Sequence, residues 1–398
     1  MNAARTTKKI MKKAMLFLCM LCVVSAGPAL PAPVEGDPDA ITVRVCILDD
    51  KDEIFVSVKD SYTIYAAHSD RVLMEGPRLS AKFIATKDGL GIGQKELKIG
   101  GVRVRNEKGL MIFAGGKRFR GDIDIIRKDN GKLMAINYVV LDDYLYGVLY
   151  HEVSHRWPME VLKAQAIVAR TFALYQARQN ALQPYDLRSD IYSQVYGGSA
   201  SEKWSTTMAV NVTKGKVLTY RGELLPAYYH ATCGGMTEDA SNLWKVDIAP
   251  LKGVRCDSCG ASPHYRWIKD VPLWMLEDKM RAGGYKVGKI ESVTVLSRNR
   301  SGRADKLEIK DRAGVSVVLT GKDFRQILGP NELRSTRFNA SIKWGSLILD
   351  GQGWGHGVGM CQWGAFGMAK KGRKADEIIK YYYPEAKITT VGTIRDKL

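Results

Sequence analysis

One glutamate ends an apolar helix face in the stretch of sequence richest in chemistry, residues 141–180. The residues of this face follow one another at spacings of four, three and four: Leu141, Leu145, Val148 and Glu152. Such spacing predicts one side of a helix. A carboxyl group on an apolar wall has its charged form disfavoured, so its pKa rises and it stays protonated near neutral pH. The pattern therefore predicts a general acid at Glu152. The alternative is a glutamate at a helix end that points into water.

The same residues also spell H-E-x-x-H, with His151, Glu152 and His155 at the fixed positions. In zinc metallopeptidases this pattern places two histidines one helical turn apart as zinc ligands, and the glutamate acts as general base. Pro158 follows three residues after His155, and a proline ends or kinks a helix. A zinc metallopeptidase is therefore the weaker interpretation of this stretch.

A second group of residues has the spacing of a metal site. The patterns H-x2-C and C-x2-C supply four candidate ligands: His230, Cys233, Cys256 and Cys259. A ligand set of three cysteines and one histidine is typical of structural zinc. A disulfide is the alternative, since exported proteins meet an oxidising environment. His264 is a substitute ligand in this interpretation, and Cys361 is interpreted as a lone buried thiol.

The N-terminus has the layout of a secretory signal peptide over residues 1–26. Five basic residues precede a run without charge at 14–26, which ends in the small-residue cleavage site Val24, Ser25 and Ala26. The run is shorter than the roughly 20 residues that a membrane-spanning helix needs, so an uncleaved anchor is the alternative. We therefore expect the protein to be exported to the periplasm, the cell envelope or the extracellular space.

The chain is strongly basic, with a formal net charge of +18 at pH 7. Loss of the five basic residues of the signal peptide would leave +13. Such a charge attracts polyanions, which for an exported bacterial protein are wall polymers or lipid surfaces rather than nucleic acid. Solubility is the other explanation.

The elements that must position these residues predict an α+β fold. A linker is expected at residues 27–39, and short β-branched or alternating runs from residue 40 to 140 predict a β-rich N-terminal lobe. Pro158 predicts the start of a second helix at 159–180. A second β-rich portion is predicted at about 268–348.

A glycine-rich block closes the sequence. Five glycines lie within residues 351–359, with His356 in the middle, and glycine lets a backbone approach a ligand or another segment closely. The block lacks the G-K-S/T and G-x-G-x-x-G patterns of phosphate-binding loops, so nucleotide binding is not expected. Helices are predicted at about 361–370 and 375–382.

Four blocks of sequence together resemble the signature of the SpoIID/LytB family of cell-wall proteins. They read LDDYLYGVLYHEVSHRWPMEVLKAQAIVARTFAL, DIYSQVYGG, YYHATCGGMTEDASNLW and GQGWGHGVGMCQWGAFGMAKKGRKADEIIKYYYP. They occur in the family's order, so residues 141–398 are interpreted as the SpoIID-like catalytic region. The resemblance implies a lytic transglycosylase that cleaves peptidoglycan glycan strands, in the type member strands stripped of stem peptides. It also places the family's catalytic glutamate on Glu152. The family usually has proline where Ser154 stands, a change that reshapes the turn.

Such an enzyme needs a single carboxyl group, which protonates the glycosidic oxygen and then, as carboxylate, assists attack of the muramic acid C6 hydroxyl on C1. Most other glycosidases use two carboxylates. Asp190, Glu238 and Asp239 are interpreted as local polar contacts or caps rather than as the second one. The candidates for binding sugar hydroxyls and positioning the acid are Lys163, Gln165, Arg170, Ser193, Gln194, Tyr196 and His356. Each is equally compatible with a role in the fold, and His264 is a further candidate sugar contact.

Three classes of function follow from these patterns. The four blocks favour a glycan-cleaving enzyme over a non-catalytic wall-binding modulator of an amidase, as LytB-type relatives are described, and over a zinc metallopeptidase. The expected partners are peptidoglycan glycan strands and a cell-wall amidase, and the expected cofactor is a structural zinc ion.

Overall fold

A computed structural model describes residues 40–190 and 192–397. The predicted signal peptide and linker, residues 1–39, lie outside these described residues. Helices and strands are mixed throughout the described chain, which confirms the predicted α+β class. None of the helices in this part of the chain combines the length and the apolar character needed to span a membrane.

The N-terminal part is made of strands, as predicted. Its twelve strands are β1 Thr42–Lys51, β2 Glu53–Val58, β3 Tyr62–Ala66, β4 Val72–Gly76, β5 Leu79–Ala85, β6 Leu90–Ile92, β7 Lys95–Leu97, β8 Gly101–Asn106, β9 Ile112–Ala114, β10 Lys117–Phe119, β11 Asp122–Arg127 and β12 Leu133–Val140. A seven-stranded sheet has the order β13-β1-β12-β11-β8-β3-β4, with β13 at Leu187–Arg188, and a six-stranded sheet has the order β10-β9-β2-β5-β6-β7. Alternate side chains of strands such as β2 are buried in a core that the two sheets share.

β12 leads directly into the first helix, α1, at Leu141–Glu152. The predicted apolar stripe is buried, with side chains at most 5% exposed: Leu141, Leu145 and Val148. The helix ends on Glu152 itself, because Val153 is extended with φ −140° and ψ 150°. Its end therefore lies well before Pro158, at the residue predicted to carry the chemistry.

Pro158 caps the second helix, α2, at Met159–Gln179, close to the predicted start and end. The small residues of this helix are buried: Ala164, Ala166, Ala169, Ala173 and Ala177. They allow close packing on both sides, since α2 contributes to the N-terminal core and to a second core formed by the C-terminal block.

The rest of the chain alternates short strands and helices. Its elements are α3 Trp204–Val212, β14 Lys216–Tyr220, β15 Glu223–Leu224, β16 Tyr229–His230, β17 Arg266–Pro272, α4 Leu273–Ala282, β18 Ile290–Arg298, β19 Ala304–Asp311, β20 Ser316–Thr320, α5 Gly321–Leu328, β21 Phe338–Lys343, β22 Ser346–Gln352, β23 Met360–Cys361, α6 Gln362–Lys370, α7 Ala375–Tyr382 and β24 Lys387–Thr390, with short 3-10 helices at Gly198–Ser201, Ala240–Asn242, Ala249–Leu251 and Val391–Lys397. The strands from β17 to β22 form two three-stranded sheets around a core of their own. This unit corresponds to the second β-rich portion predicted from the sequence.

The glycine-rich block lies against residues 228–238. β16 and β23 pair in parallel, with His230 opposite Cys361. Gly353, Gly355, Gly357 and Gly359 all have positive φ. A Cβ on Gly359 would lie 1.9 Å from the carbonyl oxygen of Tyr228, and one on Gly355 2.7 Å from the Cβ of His230. The glycines thus let two backbone segments approach each other, one of the two roles predicted for them.

Candidate active site

A cleft of about 650 Å³ opens at the C-terminal end of α1. Much of its wall is aromatic: Tyr150, Trp157, Phe172, Tyr192, Tyr229, Trp354 and Trp363. Polar side chains lie between these rings, so the cleft suits a ligand with both apolar faces and hydroxyl groups. At Tyr192 and Ser193 the cleft meets a larger groove, of about 1350 Å³, that runs along the N-terminal lobe.

Glu152 is the only carboxylic acid that lines this cleft within the described chain. Burial raises its pKa from 4.5 to about 7, because the ionised form is poorly solvated there. The Tyr229 hydroxyl, the Val195 backbone N–H and the Gln362 side chain form hydrogen bonds with the carboxyl group, and these bonds lower the pKa because they stabilise the carboxylate. The balance leaves a group that both holds and releases a proton near neutral pH.

A chain of hydrogen bonds in the protein interior holds the carboxyl group of Glu152 in place. The Tyr144 hydroxyl donates to Gln194 Oε1 over 3.2 Å, and Gln194 Nε2 donates to the Tyr229 hydroxyl over 2.9 Å. Tyr229 then bonds to Glu152. Gln194 is 1% exposed, so it positions the acid through Tyr229 and does not reach the space where a ligand would bind.

Gln165 has an equivalent role on the other side of the acid. It is fully buried and accepts a hydrogen bond of 3.3 Å from Gln362 Nε2. Gln362 in turn bonds to Glu152. Gln165 and Gln194 were predicted to bind sugar hydroxyls and to position the acid. Their contacts agree with the positioning role, whereas their burial corrects the predicted contact with a sugar.

Arg170, another predicted sugar contact, lies in the core and not in the cleft. Its Nε donates to Asp142 Oδ1 over 2.9 Å, and its remaining nitrogens donate to the carbonyl oxygens of Val210 and Lys216. A buried guanidinium needs such a full set of partners. Arg170 therefore fastens α2 to α1, α3 and β14.

Tyr196 and Lys163 also lie away from the cleft. The buried Tyr196 hydroxyl donates to Asn137 Oδ1 over 3.1 Å, and its ring packs against Gly147 of α1. Lys163 pairs with Glu160 one turn earlier in α2, at 2.9 Å. Both residues lie in sequence blocks that resemble the family, and both were predicted to bind the ligand or position the acid. Their contacts in the structure instead stabilise the fold.

Ser193 and His356 do line the cleft, as predicted. His356 Nδ1 accepts a hydrogen bond of 3.1 Å from the backbone N–H of Val358, and the ring donates to the carbonyl oxygen of Tyr229. Burial and the charges of Arg325 and Arg303 lower the pKa of His356 to about 3. The imidazole is therefore neutral at physiological pH. A neutral imidazole can form hydrogen bonds but does not serve as a general acid.

The H-E-x-x-H pattern does not form a zinc site. Because α1 ends at Glu152, His155 does not lie one helical turn beyond His151. His151 Nε2 instead forms a hydrogen bond of 2.6 Å with Ser201 Oγ. Among the described residues, the one group of three or more metal-ligating side chains close enough to share an ion lies elsewhere. The metallopeptidase interpretation is corrected accordingly.

That group consists of four buried cysteines, Cys233, Cys256, Cys259 and Cys361, whose sulfur atoms all lie within 4.8 Å of one another. Cys361, predicted to be a lone thiol, takes the place predicted for His230. The physical reason is that residues three apart in an extended segment point to opposite faces. His230 accordingly faces the cleft, where Nδ1 donates to the carbonyl oxygen of Val358 over 3.1 Å.

The other carboxylates that were considered have local roles, as predicted. Glu238 is buried and accepts hydrogen bonds from Asn299 and Ser301. Asp239 caps the following turn by accepting from the backbone N–H of Ser241. Asp190 pairs with Arg188 and does not line the cleft.

The sequence did not point to several residues that form the cleft: Trp157, Tyr229, Arg325, Asn331, Gln362 and Trp363. Tyr229 and Gln362 lie inside the recognised blocks, but only the pairing of β16 with β23 shows that both meet Glu152. Arg325 comes from α5 of the second β-rich portion. Burial and the neighbouring Arg303 lower its pKa to about 10, so it stays charged at neutral pH.

Comparisons with known proteins agree with this architecture. A family model described as Stage II sporulation protein matches residues 129–220, which contain α1, α2 and Glu152. A second model, described as a domain of unknown function, matches residues 255–359, which contain the second β-rich unit.

Individual relatives agree with the match to the first family model. Stage II sporulation protein D of Bacillus subtilis is 31% identical over 281 residues, which cover 66% of this chain and 78% of that protein. An uncharacterized protein of Brachyspira hyodysenteriae is 31% identical over 343 residues, or 86% of this chain and 91% of that protein. The amidase enhancer of Bacillus subtilis is 26% identical over 290 residues, 62% of this chain and 40% of that protein. The chain therefore belongs to the SpoIID/LytB family, which confirms the resemblance of its sequence blocks.

Proposed function

We propose that this protein is an exported lytic transglycosylase that cleaves the glycan strands of peptidoglycan, with Glu152 as its only general acid and base. The observation that carries the proposal is a cleft with one carboxyl group whose pKa is raised to about 7. Hydrolysis by the usual glycosidase route needs two carboxylates. Formation of an intramolecular anhydro ring needs one, because the nucleophile belongs to the substrate.

The reaction is balanced with this single group. Protonated Glu152 donates its proton to the glycosidic oxygen while the bond between C1 of the muramic acid residue and that oxygen breaks. The resulting carboxylate then accepts the proton of the C6 hydroxyl as O6 bonds to C1. The products are a 1,6-anhydromuramic acid end and a free hydroxyl on the leaving sugar. No water is consumed, and Glu152 returns to its protonated form, as a pKa near neutrality favours.

Neighbouring residues supply binding and orientation. Tyr229 and Gln362 fix the carboxyl group, and the aromatic walls offer flat surfaces to pyranose rings. The groove along the N-terminal lobe extends the space available to a polymer.

Arg325 favours strands that have lost their stem peptides. Removal of a stem peptide by an amidase leaves a free lactyl carboxylate on the muramic acid residue. A guanidinium in the cleft wall binds such a carboxylate more strongly than the amide that it replaces. The proposed substrate is therefore glycan already processed by a cell-wall amidase.

The test is digestion of purified peptidoglycan, with and without amidase treatment, followed by mass spectrometry for 1,6-anhydromuramic acid ends. Wild-type protein is expected to produce them, and E152Q is expected to fold normally and produce none, because glutamine keeps the shape of the side chain but carries no transferable proton. Anhydro products from E152Q would remove Glu152 as the acid.

Modulation of an amidase is the second candidate function, favoured by the relative described as an amidase enhancer. A modulator without catalysis would stimulate a cell-wall amidase equally as wild type and as E152Q, and would release no anhydro sugar alone. Measurement of amidase turnover with both proteins separates this function from the first.

A further inference from the structure

Four cysteines from three separate segments meet behind the cleft. Cys233 follows β16, Cys256 and Cys259 lie in the loop before β17, and Cys361 ends β23. The sulfur atoms of Cys233 and Cys259 are 3.5 Å apart, and all four sulfur atoms lie within 4.8 Å of one another. Each of the four side chains is buried.

This spacing fits one ion at the centre of a tetrahedron. With metal–sulfur bonds of about 2.3 Å, the sulfur atoms of a tetrahedral zinc site lie about 3.8 Å apart. An iron–sulfur cluster places several metal and sulfide ions between its cysteines and so holds them farther from one another. Four soft sulfur ligands in a compact tetrahedron favour zinc over harder divalent ions.

The surroundings offer hydrogen bonds to thiolate sulfur. Backbone N–H groups of Cys233 and Gly364 lie 3.2 and 3.3 Å from Cys361 Sγ, and the Tyr382 hydroxyl lies 3.1 Å from Cys256 Sγ. Cys361 also caps the N-terminus of α6, where the helix dipole favours negative charge.

A buried cation lies beside the cluster. The guanidinium of Arg303 is fully buried and donates to the carbonyl oxygen of Cys233 over 2.8 Å. A divalent ion with four thiolates carries two negative charges, which are costly to bury. The positive charge of Arg303 and the donors around the sulfur atoms offset that cost, as outer partners do in metal sites.

We propose that Cys233, Cys256, Cys259 and Cys361 bind a single zinc ion, which replaces the four thiol protons and joins the three segments that form the wall behind the cleft. Cys361 directly precedes Gln362, which bonds to Glu152. The ion therefore also positions Gln362 against the acid. This second part rests on the proposed function, whereas the metal site does not.

The metal site is tested on the full mature chain, purified without added chelator, by elemental mass spectrometry and by X-ray absorption at the zinc edge. We expect one zinc per chain with four sulfur neighbours at about 2.3 Å. Three sulfur neighbours and one nitrogen neighbour would overturn the proposal in favour of a histidine ligand. An intact mass that shows a disulfide and no metal would overturn it entirely.

Variants give an independent check. Cys361→Ser is expected to lose the stoichiometric zinc. Two control variants are expected to retain it: Cys46→Ser, which removes a buried thiol in a different core, and His230→Asn. Cobalt added to metal-depleted wild type is expected to show the visible spectrum of a tetrahedral tetrathiolate site. Retention of one zinc by Cys361→Ser, or loss of zinc from His230→Asn, would contradict the assigned ligands.

The positioning role is measured by turnover on amidase-treated glycan. Metal-depleted protein that remains folded and Gln362→Ala are both expected to lose kcat by about tenfold or more with little change in KM, and zinc or cobalt is expected to restore kcat only in the former. An unchanged kcat after metal loss would contradict the positioning role. Absence of anhydro products from the zinc-loaded wild type would contradict the proposed function and leave the metal site standing.

Discussion

At the scale of single residues, the cleft depends on a carboxyl group that the protein keeps partly out of water. Burial raises the pKa of Glu152 to about 7, while three hydrogen bonds prevent a larger shift. Such an arrangement suits catalysis and opposes stability, because the folded chain resists ionisation of a group that ionises freely when unfolded. The proposed catalytic role of Glu152 and the stability of the fold therefore favour opposite environments for this residue.

Because the pKa of Glu152 is raised in the folded protein, we predict that E152Q stabilises the protein at neutral pH. Below about pH 4.5 the glutamate is protonated in both the folded and the unfolded chain, so the substitution has little effect. Between pH 4.5 and about 7 the unfolded chain ionises while folded Glu152 stays protonated, so the wild type loses stability as pH rises. Above pH 7 the loss of unfolding free energy relative to E152Q is constant, at about 3 kcal/mol. Thermal unfolding of both proteins from pH 4 to 8 measures it, and parallel Tm curves would contradict the raised pKa.

A second prediction concerns the hydroxyl group of Tyr229, which stabilises the ionised form of the acid. Tyr229→Phe removes this hydrogen bond, so the pKa of Glu152 should rise further, by about one unit. The limb of the pH–rate profile that reports loss of the acid's proton is expected to move to higher pH. Tyr150→Phe, which changes another tyrosine of the same cleft, serves as the control and should leave the limb in place. If Tyr229 only supported the fold, Tyr229→Phe would lower the rate without moving this limb of the pH–rate profile.

Residue types pointed to Glu152 but not to the side chains that contact it. Glu152 was predictable because a carboxyl group on an apolar stripe is unusual. Gln165 and Gln194 were predicted to bind a sugar or to position the acid because they are long and polar, and only their burial among partners from distant segments favours the second role. Arg170 shows the same limit, since its partners lie on α1, α3 and β14. Spacing along one helix does not contain these long-range contacts.

At the scale of elements, the position where α1 ends separates two interpretations of Glu152: a general acid at the cleft, or part of an H-E-x-x-H zinc site. The helix ends on Glu152, and a turn follows in which Ser154 Oγ accepts from the backbone N–H of Arg156 over 3.3 Å. Ser154 therefore forms the turn at the position where the family usually has proline. The turn places His155 outside the helix and leaves the glutamate at the cleft edge.

We predict that His155→Ala retains glycan cleavage within about tenfold, a loss of at most roughly 1.4 kcal/mol of transition-state stabilisation. The imidazole lies against Tyr150 and is not a ligand of the cysteine cluster. Zinc content per chain is expected to equal that of the wild type. Complete inactivation with loss of the metal would restore the H-E-x-x-H site, and kinetic and elemental measurements on the same sample decide the point.

The glycine-rich block provides a further prediction at this scale. Gly355→Ala introduces a side chain at φ +109° and 2.7 Å from the Cβ of His230, so both backbone strain and a clash oppose it. We expect a loss of unfolding free energy of about 3 kcal/mol, together with reduced turnover. Gly372→Ala, at φ +86° with open space around it, carries the strain alone and should cost about 1 kcal/mol. Equal losses in denaturant unfolding would show that contact with His230 does not matter.

Elements were more predictable than their contacts. The two helices at Glu152, the β-rich lobe and the second β-rich portion follow from periodicity and turn residues. The composition of the four-cysteine cluster was not predictable, because H-x2-C spacing gave a plausible set of ligands without showing that an extended segment turns His230 and Cys233 to opposite sides. Only the parallel pairing of β16 with β23 brings Cys361 to the cluster.

At the scale of the whole molecule, the second β-rich unit has its own core and still contributes to the cleft. Residues from β17 to β22 enclose this core, which is distinct from the two that surround α2. Arg303 connects the unit to the cysteine segment, and Arg325 and Asn331 extend into the cleft wall. The matched domain of unknown function therefore has a structural role next to Glu152, and its contribution is expected to be substrate choice.

Substrate choice can be tested through the charge of Arg325. Its Nε donates to the carbonyl oxygen of Leu333 over 2.9 Å, which holds the guanidinium at the cleft. Arg325→Gln removes the charge that would bind the lactyl carboxylate of a stripped muramic acid residue. We expect KM for amidase-treated glycan to rise about tenfold, near the 1.5 to 3 kcal/mol that a charged hydrogen bond contributes, with a smaller change in kcat.

The same substitution should matter little for untreated glycan, whose lactyl groups are joined to stem peptides as neutral amides. The expected result is therefore a loss of preference between the two substrates and not a uniform loss of activity. Arg312→Gln removes an exposed charge from the same β-rich unit, away from the cleft, and is the control for net charge. If Arg325→Gln and Arg312→Gln weaken both substrates equally, the long-range positive charge of the protein attracts the glycan and Arg325 does not recognise the carboxylate.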